Sequence, residues 1–439
     1  MCLTDGEREF ISDPGNRQIR LQAEVVPSLR ASVLLKRVLP LVLGAAICWP
    51  GRTHASETMP GIEEDAFSIQ GFGTLGMARS SNGDAHVLRS IRQPKGIGDE
   101  WSARQDSLLG LQAQYRFNEQ VDAQIQAASY YREDGSFRPD VTAAFLKFDL
   151  DPRFSVRVGR VGLDLLMLAD TRMVGYSYIP IRPVSESYNV PLNYLDGVSA
   201  RWRMPIGEGV MGVEGTAGVA REDLPHYEFS GSKGAKGSID YQIGAWQFRY
   251  FYARAKLAHE NESLTPLRQG LSMTPAGRLA DKLKVEGTTG TYESLGIGYD
   301  NGDWQLQMVF DAMRYENPTL PNGSAFHCLV GRRIGNVTPY VGYSRARIDP
   351  KKLETGLPVL PWYQPLNAGL AKAMAVSGTR IDSETFTLGT RWDFRRNMAL
   401  KTQVDFVRGG KSVSMLVEDT DPDWNGKTTM VSVSLDFVF

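Results

Sequence analysis

The side chains equipped for nucleophilic or metal chemistry are few and poorly placed for it. Beyond an N-terminal export segment the sequence carries His86, His226, His259, His327 and one thiol, Cys328. Acyl transfer needs a nucleophile, a histidine base and an orienting group within reach of one another. Three of these histidines fall in expected loops. His327 adjoins Cys328 on an expected strand, where neighbours point to opposite faces. No zinc-ligand spacing links the histidines. The run Gly71-Phe72-Gly73-Thr74-Leu75-Gly76 spells G-x-G-x-x-G, but a dinucleotide site needs that motif between a strand and a helix, and here it sits inside an alternating segment. No catalytic residue, metal or cofactor is expected. What recurs instead is arginine at the polar positions of alternating segments: Arg116, Arg157, Arg201, Arg203, Arg249 and Arg391, with Arg160, Arg345 and Arg347 close by. Fixed charge along a wet surface acts on passing ions, not on covalent bonds.

The elements that carry these arginines are strands. Apolar and polar residues alternate with period two, the pattern of a strand with two unlike faces. Val431, Val433, Leu435, Phe437 and Phe439 share one face, with Ser432, Ser434 and Asp436 on the other. Trp304, Leu306, Met308 and Phe310 alternate with Gln305, Gln307 and Asp311 in the same way. Sixteen such segments are read, at 67–78, 105–117, 120–132, 140–150, 153–161, 196–204, 209–221, 236–244, 246–258, 290–300, 303–315, 323–333, 337–348, 382–394, 397–409 and 429–439. Their connections alternate between short and long. Asn301-Gly302 is one of the short ones and is a hairpin signal in itself.

Composition alone suggests a soluble protein. The 439 residues are 42% hydrophobic and 23% charged, with 49 basic and 50 acidic side chains and a formal charge of -1. Mean hydropathy is -0.27. No stretch reaches the roughly 18 apolar residues of a spanning helix, which excludes a polytopic helical membrane protein. The balanced charge lacks the basic footprint of nucleic-acid binding. The longest apolar run, 38–48, follows Arg30, Lys36 and Arg37 and precedes Thr53-His54-Ala55-Ser56. That order describes a secretory signal peptide cut after Ala55. Two regions follow: an N-terminal extension and signal over 1–55, and an exported domain over 56–439. Cleavage removes Cys2 and Cys48, so the exported chain keeps Cys328 alone and a disulfide-stapled fold is excluded.

An even number of strands of this length, with tight turns at one end and long loops at the other, describes an all-β transmembrane antiparallel up-and-down barrel. Hydrocarbon offers no hydrogen-bond partner, so the sheet must close on itself. Fourteen or eighteen strands are the alternatives, because segments within the long loops read ambiguously. A propeller would repeat a blade motif about every 40 residues, and none is found. Aromatic residues at the strand ends, among them Phe67, Phe117, Phe154, Trp246, Trp304 and Phe394 at one end and Tyr130, Tyr131, Tyr252, Tyr343 and Phe406 at the other, fit two interfacial girdles.

The opening strand Phe67-Ser68-Ile69-Gln70-Gly71-Phe72-Gly73, the segment Phe154-Ser155-Val156-Arg157-Val158-Gly159-Arg160 and the terminal Val433-Ser434-Leu435-Asp436-Phe437-Val438-Phe439 resemble the Gram-negative outer-membrane porins of the sixteen-stranded, general-diffusion type. The resemblance implies a water-filled channel for passive diffusion of small hydrophilic solutes and ions. It also implies export by the Sec pathway to the outer membrane, lipid and lipopolysaccharide around the barrel, and a homotrimer. Phe439 would be the signal read by the barrel-assembly machinery. The third long loop, 162–195, would fold into the lumen, with Asp164, Asp170, Arg172, Arg182 and Glu186 at the constriction. Arg116, Arg157, Arg160, Arg201, Arg203, Arg249 and Arg391 would form the basic ladder on the facing wall. The surplus of arginine leans toward anions, opposed by Glu214, Asp240, Asp311 and Asp405 on the same face. A substrate-selective channel of the same architecture, for an anion, an organic acid or a sugar, is the alternative, and no pattern separates the two.

Overall fold

In the computed structural model sixteen strands close into one antiparallel barrel, each pairing with the next in the chain and the last returning to the first. The structure describes residues 66–439 except 164–166, 168–170, 184–191, 225–226, 376, 378–380, 410–416 and 419–423. The expected leader, 1–55, lies outside the described residues. The barrel strands are β1 (Phe67–Ser80), β2 (Leu108–Asn118), β3 (Val121–Tyr130), β4 (Asp140–Asp151), β5 (Phe154–Gly162), β6 (Tyr194–Ile206), β7 (Gly209–Val219) and β8 (Lys233–Ile243). They continue as β9 (Trp246–Lys256), β10 (Thr289–Asp300), β11 (Trp304–Tyr315), β12 (Asn322–Arg332), β13 (Val337–Asp349), β14 (Ile381–Arg395), β15 (Met398–Arg408) and β16 (Lys427–Val438).

Closure joins β1 to β16 in the register Phe72 opposite Val438 through Ser80 opposite Met430. Gly71 and Phe439 extend it by exchanging two backbone hydrogen bonds of 2.8 and 2.9 Å. The glycines of the G-x-G run have their reason here. The rings of Phe439 and Phe437 lie where a Cβ at Gly71 and Gly73 would stand, and the two rings stack with centroids 6.3 Å apart. The motif is a seat for aromatic rings at the seam.

Alternation sorts the two faces. On β16 Val431 and Val433 are exposed, whereas Ser432, Ser434 and Asp436 are buried. In a wall one strand thick, only residues pointing inward can be buried, so the polar face lines the interior. The outer face carries an apolar belt that includes Leu75, Leu146, Val158, Leu295, Val341 and Leu388. Exposed aromatics border it, with Phe67, Phe117, Trp246, Trp304 and Phe394 toward the short turns and Tyr252, Tyr343 and Phe406 toward the long loops. Tyr130 and Tyr131 depart from the expected girdle and line an interior cavity instead. An outer belt of this kind with every wall strand paired on both sides is a membrane-spanning barrel.

Leu388 is the central residue of β14 and faces outward. Leu388→Arg is expected to cost about 2–4 kcal/mol, the penalty of an arginine at the bilayer midplane. Urea unfolding in lipid vesicles measures it, with Leu388→Ala as the milder control. Equal midpoints for the two variants would mean that β14 does not face lipid.

The long connections carry structure of their own. After β9 come helices α1 (Thr265–Ser272) and α2 (Gly277–Lys282), and after β13 comes α3 (Gln364–Ala373). Leu271, Leu279, Leu283, Leu370 and Met374 pack these helices into a small apolar core. The first connection lies down on the barrel: Val87 and Ile97 are buried with Ala78 of β1, Val407 of β15 and Met430 of β16.

Candidate functional site

Residues 175–181 of the third long connection bond side chains of the wall through their backbone. Lys401, on the inward face of β15, donates from Nζ to the carbonyls of Gly175, Tyr178 and Pro180 at 2.7, 2.7 and 2.9 Å. The same ammonium pairs with Asp436 of β16 at 3.0 Å, and both side chains are fully buried, at 0% exposure. Arg391 of β14 donates to the carbonyls of Tyr176 and Tyr178 at 2.7 and 3.0 Å. Gln403 accepts from the Ile181 amide at 3.0 Å and from the Tyr340 hydroxyl at 2.9 Å. Gly175 sits against Asp436 and Thr74 with no room for a side chain. Ile179 packs with Leu329 and Tyr340. Burial pushes the Tyr178 phenol well above its usual value, so it remains a donor, and it bonds the Arg172 carbonyl at 3.1 Å.

Beside this segment lies an interior cavity of about 320 Å3. Arg89 and Arg92 from the first connection, Arg157 from β5, and Arg172 and Arg182 from the third all line it. Carboxylates hold four of these guanidiniums, those of Arg89, Arg92, Arg157 and Arg182. Arg89 meets Asp405 at 3.1 Å and Asp106 at 3.4 Å, and Arg182 meets Asp106 at 3.1 Å. Arg92 meets Glu222 at 3.2 Å, and Arg157 meets Glu214 at 3.1 Å. Glu222 also accepts from the Asn193 and Tyr194 amides, fixing the start of β6. Gln112, Gln124, Gln126, Tyr130 and Thr142 complete the polar lining. A second cavity of about 260 Å3 lies between the third connection and β8–β11, lined by Gln242, Gln247, Gln305, Gln307 and Asp300.

No protein-family model and no curated protein matches the sequence. Solved structures do match in shape. OmpF of Salmonella typhi superimposes with a TM-score of 0.54 at 12% identity, covering 86% of this chain and 99% of that one. An anion-selective porin from Comamonas acidovorans gives a TM-score of 0.50 at 13% identity, covering 85% and 100%. The trimer form of OmpT, an outer-membrane protein of Vibrio cholerae, gives 0.50 at 10% identity over the same shares. The chain has the porin fold.

Within the porin fold the expected site residues fall into three groups. Arg157, Arg172 and Arg182 come together at the arginine cavity. The other expected arginines stand elsewhere. Arg116 pairs with Asp122 at 3.3 Å near a short turn. Arg160 pairs with Asp196 at 2.8 Å and covers the Tyr194 ring at 4.3 Å. Arg201 pairs with Asp240 at 3.1 Å, and Arg249 is half-buried on the polar face of β9. Arg203 is exposed near the turn that follows β6. Arg391 bonds the third connection from the far wall. The remaining three, Asp164, Asp170 and Glu186, lie outside the described residues.

Sequence reasoning missed Arg89, Arg92 and Glu222 because they belong to long connections, and Asp106 because the expected strand 105–117 begins only at Leu108, which leaves it in the first connection. A signal was present. Val87, Leu88 and Ile91 are apolar residues interleaved with the two arginines, which is unusual for a solvated loop. Lys401 was also missed, although its alternation with Leu400 and Thr402 puts it on the polar face of a central strand.

Proposed function

We propose that this chain is a passive pore of the Gram-negative outer membrane, open to small hydrophilic solutes and ions. The observation that carries the reading is the charged interior cavity behind an apolar outer belt, since fixed charge along a wet passage is what selects permeating ions. The third connection, 162–195, folds into the lumen as the constriction, a reading supported by the backbone bonds from Lys401 and Arg391. Arg157, Arg172 and Arg182 act on anions there. Asp164, Asp170 and Glu186 supply the opposing charge. Phe439, seated on Gly71 at the seam, serves as the signal for the assembly machinery. Residues 1–55 are removed on export. The pore works as a homotrimer among lipid and lipopolysaccharide, as the trimer form of a protein of the same fold suggests.

Recordings of the purified protein in planar bilayers test this. A steady ohmic conductance is expected, with a reversal potential under a salt gradient that favours anions. Neutralising Asp164, Asp170 and Glu186 together should increase that preference. Absence of ion current would overturn the pore, and an unchanged reversal potential would remove these three residues from selectivity. The concentration of arginines around one cavity favours a second reading, a channel selective for an anionic solute. Block of the current by one solute class would distinguish it from general diffusion.

A further inference from the structure

The arginine cavity has two chemically unlike halves. One is cationic, with Arg89, Arg92, Arg157, Arg172 and Arg182. Asp106, Asp405 and Glu214, the carboxylate partners of Arg89, Arg157 and Arg182, stand behind them, with side chains 0%, 2% and 4% exposed, and do not line the cavity. Among the described carboxylates paired with these arginines, Glu222 alone reaches the lining. The guanidiniums of Arg89, Arg157 and Arg182, braced from behind, are fixed before a ligand arrives, which lowers the ordering cost of binding. Their planar fork suits a carboxylate.

The other half is an amide and hydroxyl surface. Gln124 and Gln126 donate to the Gln112 oxygen at 3.3 and 3.4 Å, and Thr142 donates to Gln126 at 2.9 Å. Among the described residues these bonds leave the Gln112 amide nitrogen with no acceptor. An amide presents two N–H donors and a two-lone-pair oxygen, so this trio can still both give and accept hydrogen bonds. The acceptors of such a surface add nothing to the recognition of a bare inorganic anion. It does match vicinal hydroxyls, each of which donates and accepts. The volume of about 320 Å3 falls in the range of roughly 300–1,000 Å3 that small organic ligands occupy.

We propose that the cavity is a binding site for small hydroxylated carboxylates, sugar acids in chemical terms. The carboxylate meets the arginine half and the hydroxyls meet Gln112, Gln124 and Gln126. The proposal rests on the pore reading and names its solute class. A neutral sugar would forgo the arginines, and an unhydroxylated acid would leave the amides without partners, at a cost to affinity.

The full chain in planar bilayers, titrated with D-glucuronate, D-glucose and cyclohexanecarboxylate, tests it. Glucuronate is expected to block the open-channel current at about tenfold lower concentration than either comparison solute, the effect of roughly one well-made charged contact. Gln112→Ala should erase its advantage over cyclohexanecarboxylate, and Arg172→Gln should weaken both acids and leave glucose unchanged. Equal block by the two acids, or current that none of the three solutes blocks, overturns the sugar-acid site and leaves the pore standing. Absence of current overturns the pore itself. The comparison of solutes on the unaltered protein decides the matter even where a variant does not fold.

Discussion

Lys401→Met should destabilise the barrel by about 3–5 kcal/mol, the cost of removing one partner from a buried ion pair. Lys401 and Asp436 are both fully buried and 3.0 Å apart, so the variant strands the Asp436 carboxylate in the wall. Hydroxyl donors remain to it, from Thr74 at 2.5 Å and Ser434 at 3.3 Å, but among the described residues no other cation is paired with it. The variant also removes the donor shared by three carbonyls of the third connection. These two losses are separable. Lys401→Met combined with Asp436→Leu removes the stranded charge, and replacing a whole buried pair by apolar residues is often neutral. Its urea midpoint should return most of the way to that of the original chain. In the double variant the carbonyls of Gly175 and Pro180 still lack the Lys401 donor and that of Tyr178 keeps only Arg391, so its single-channel current should be noisier than the original. A double variant that records as quietly as the original protein would show that Lys401 does not hold the connection in place.

The barrel was legible because lipid and water impose opposite demands on alternate residues of every strand. The short turns were legible for a local reason: Asn301 caps its hairpin by accepting from the amides of Asp303 and Trp304, a bond any Asn at that position can make. The helices in the long connections were not read. Pro266 and Pro365 sit in the first turns of α1 and α3, and Leu267 with Leu271, like Leu366 with Leu370, shows helical spacing. Each run is short, and α3 belongs to a different connection from α1 and α2, so the apolar stripe has meaning only after the three meet.

The site was legible by parity and opaque by partnership. Alternation puts Arg157 and Arg201 on the interior face, but it does not say that Arg157 opens onto a cavity while Arg201 is engaged with Asp240. Residues on adjacent strands are set by register, which period two leaves undetermined. Arg89 and Arg92 are harder still, because they reach the cavity only through a connection that folds down onto β1, β15 and β16. The wall charges a sequence reveals are therefore a superset of those a solute would meet.

Glu214 offers the sharpest separation of charge from structure. It holds Lys236 at 3.0 Å, Arg157 at 3.1 Å and Arg201 at 3.9 Å, and accepts from Ser199 at 3.2 Å and Thr216 at 3.3 Å. Glu214→Gln keeps the shape and removes the charge. Lys236, whose side chain is 1% exposed and which has Glu214 as its one carboxylate partner among the described residues, then becomes a buried cation without an anion. A loss of about 3–5 kcal/mol follows from that alone. The variant also makes the wall one charge more positive beside Arg157, so the reversal potential should move further toward anions, most clearly at low salt where screening is weak. Glu214→Gln with Lys236→Met changes the wall by +1 and -1, a net of zero. Stability and reversal potential should then both return toward the original values, because one rests on the buried pair and the other on the charge sum. If the double variant keeps the single variant's reversal potential, Glu214 acts on the passage by shape and not through its field.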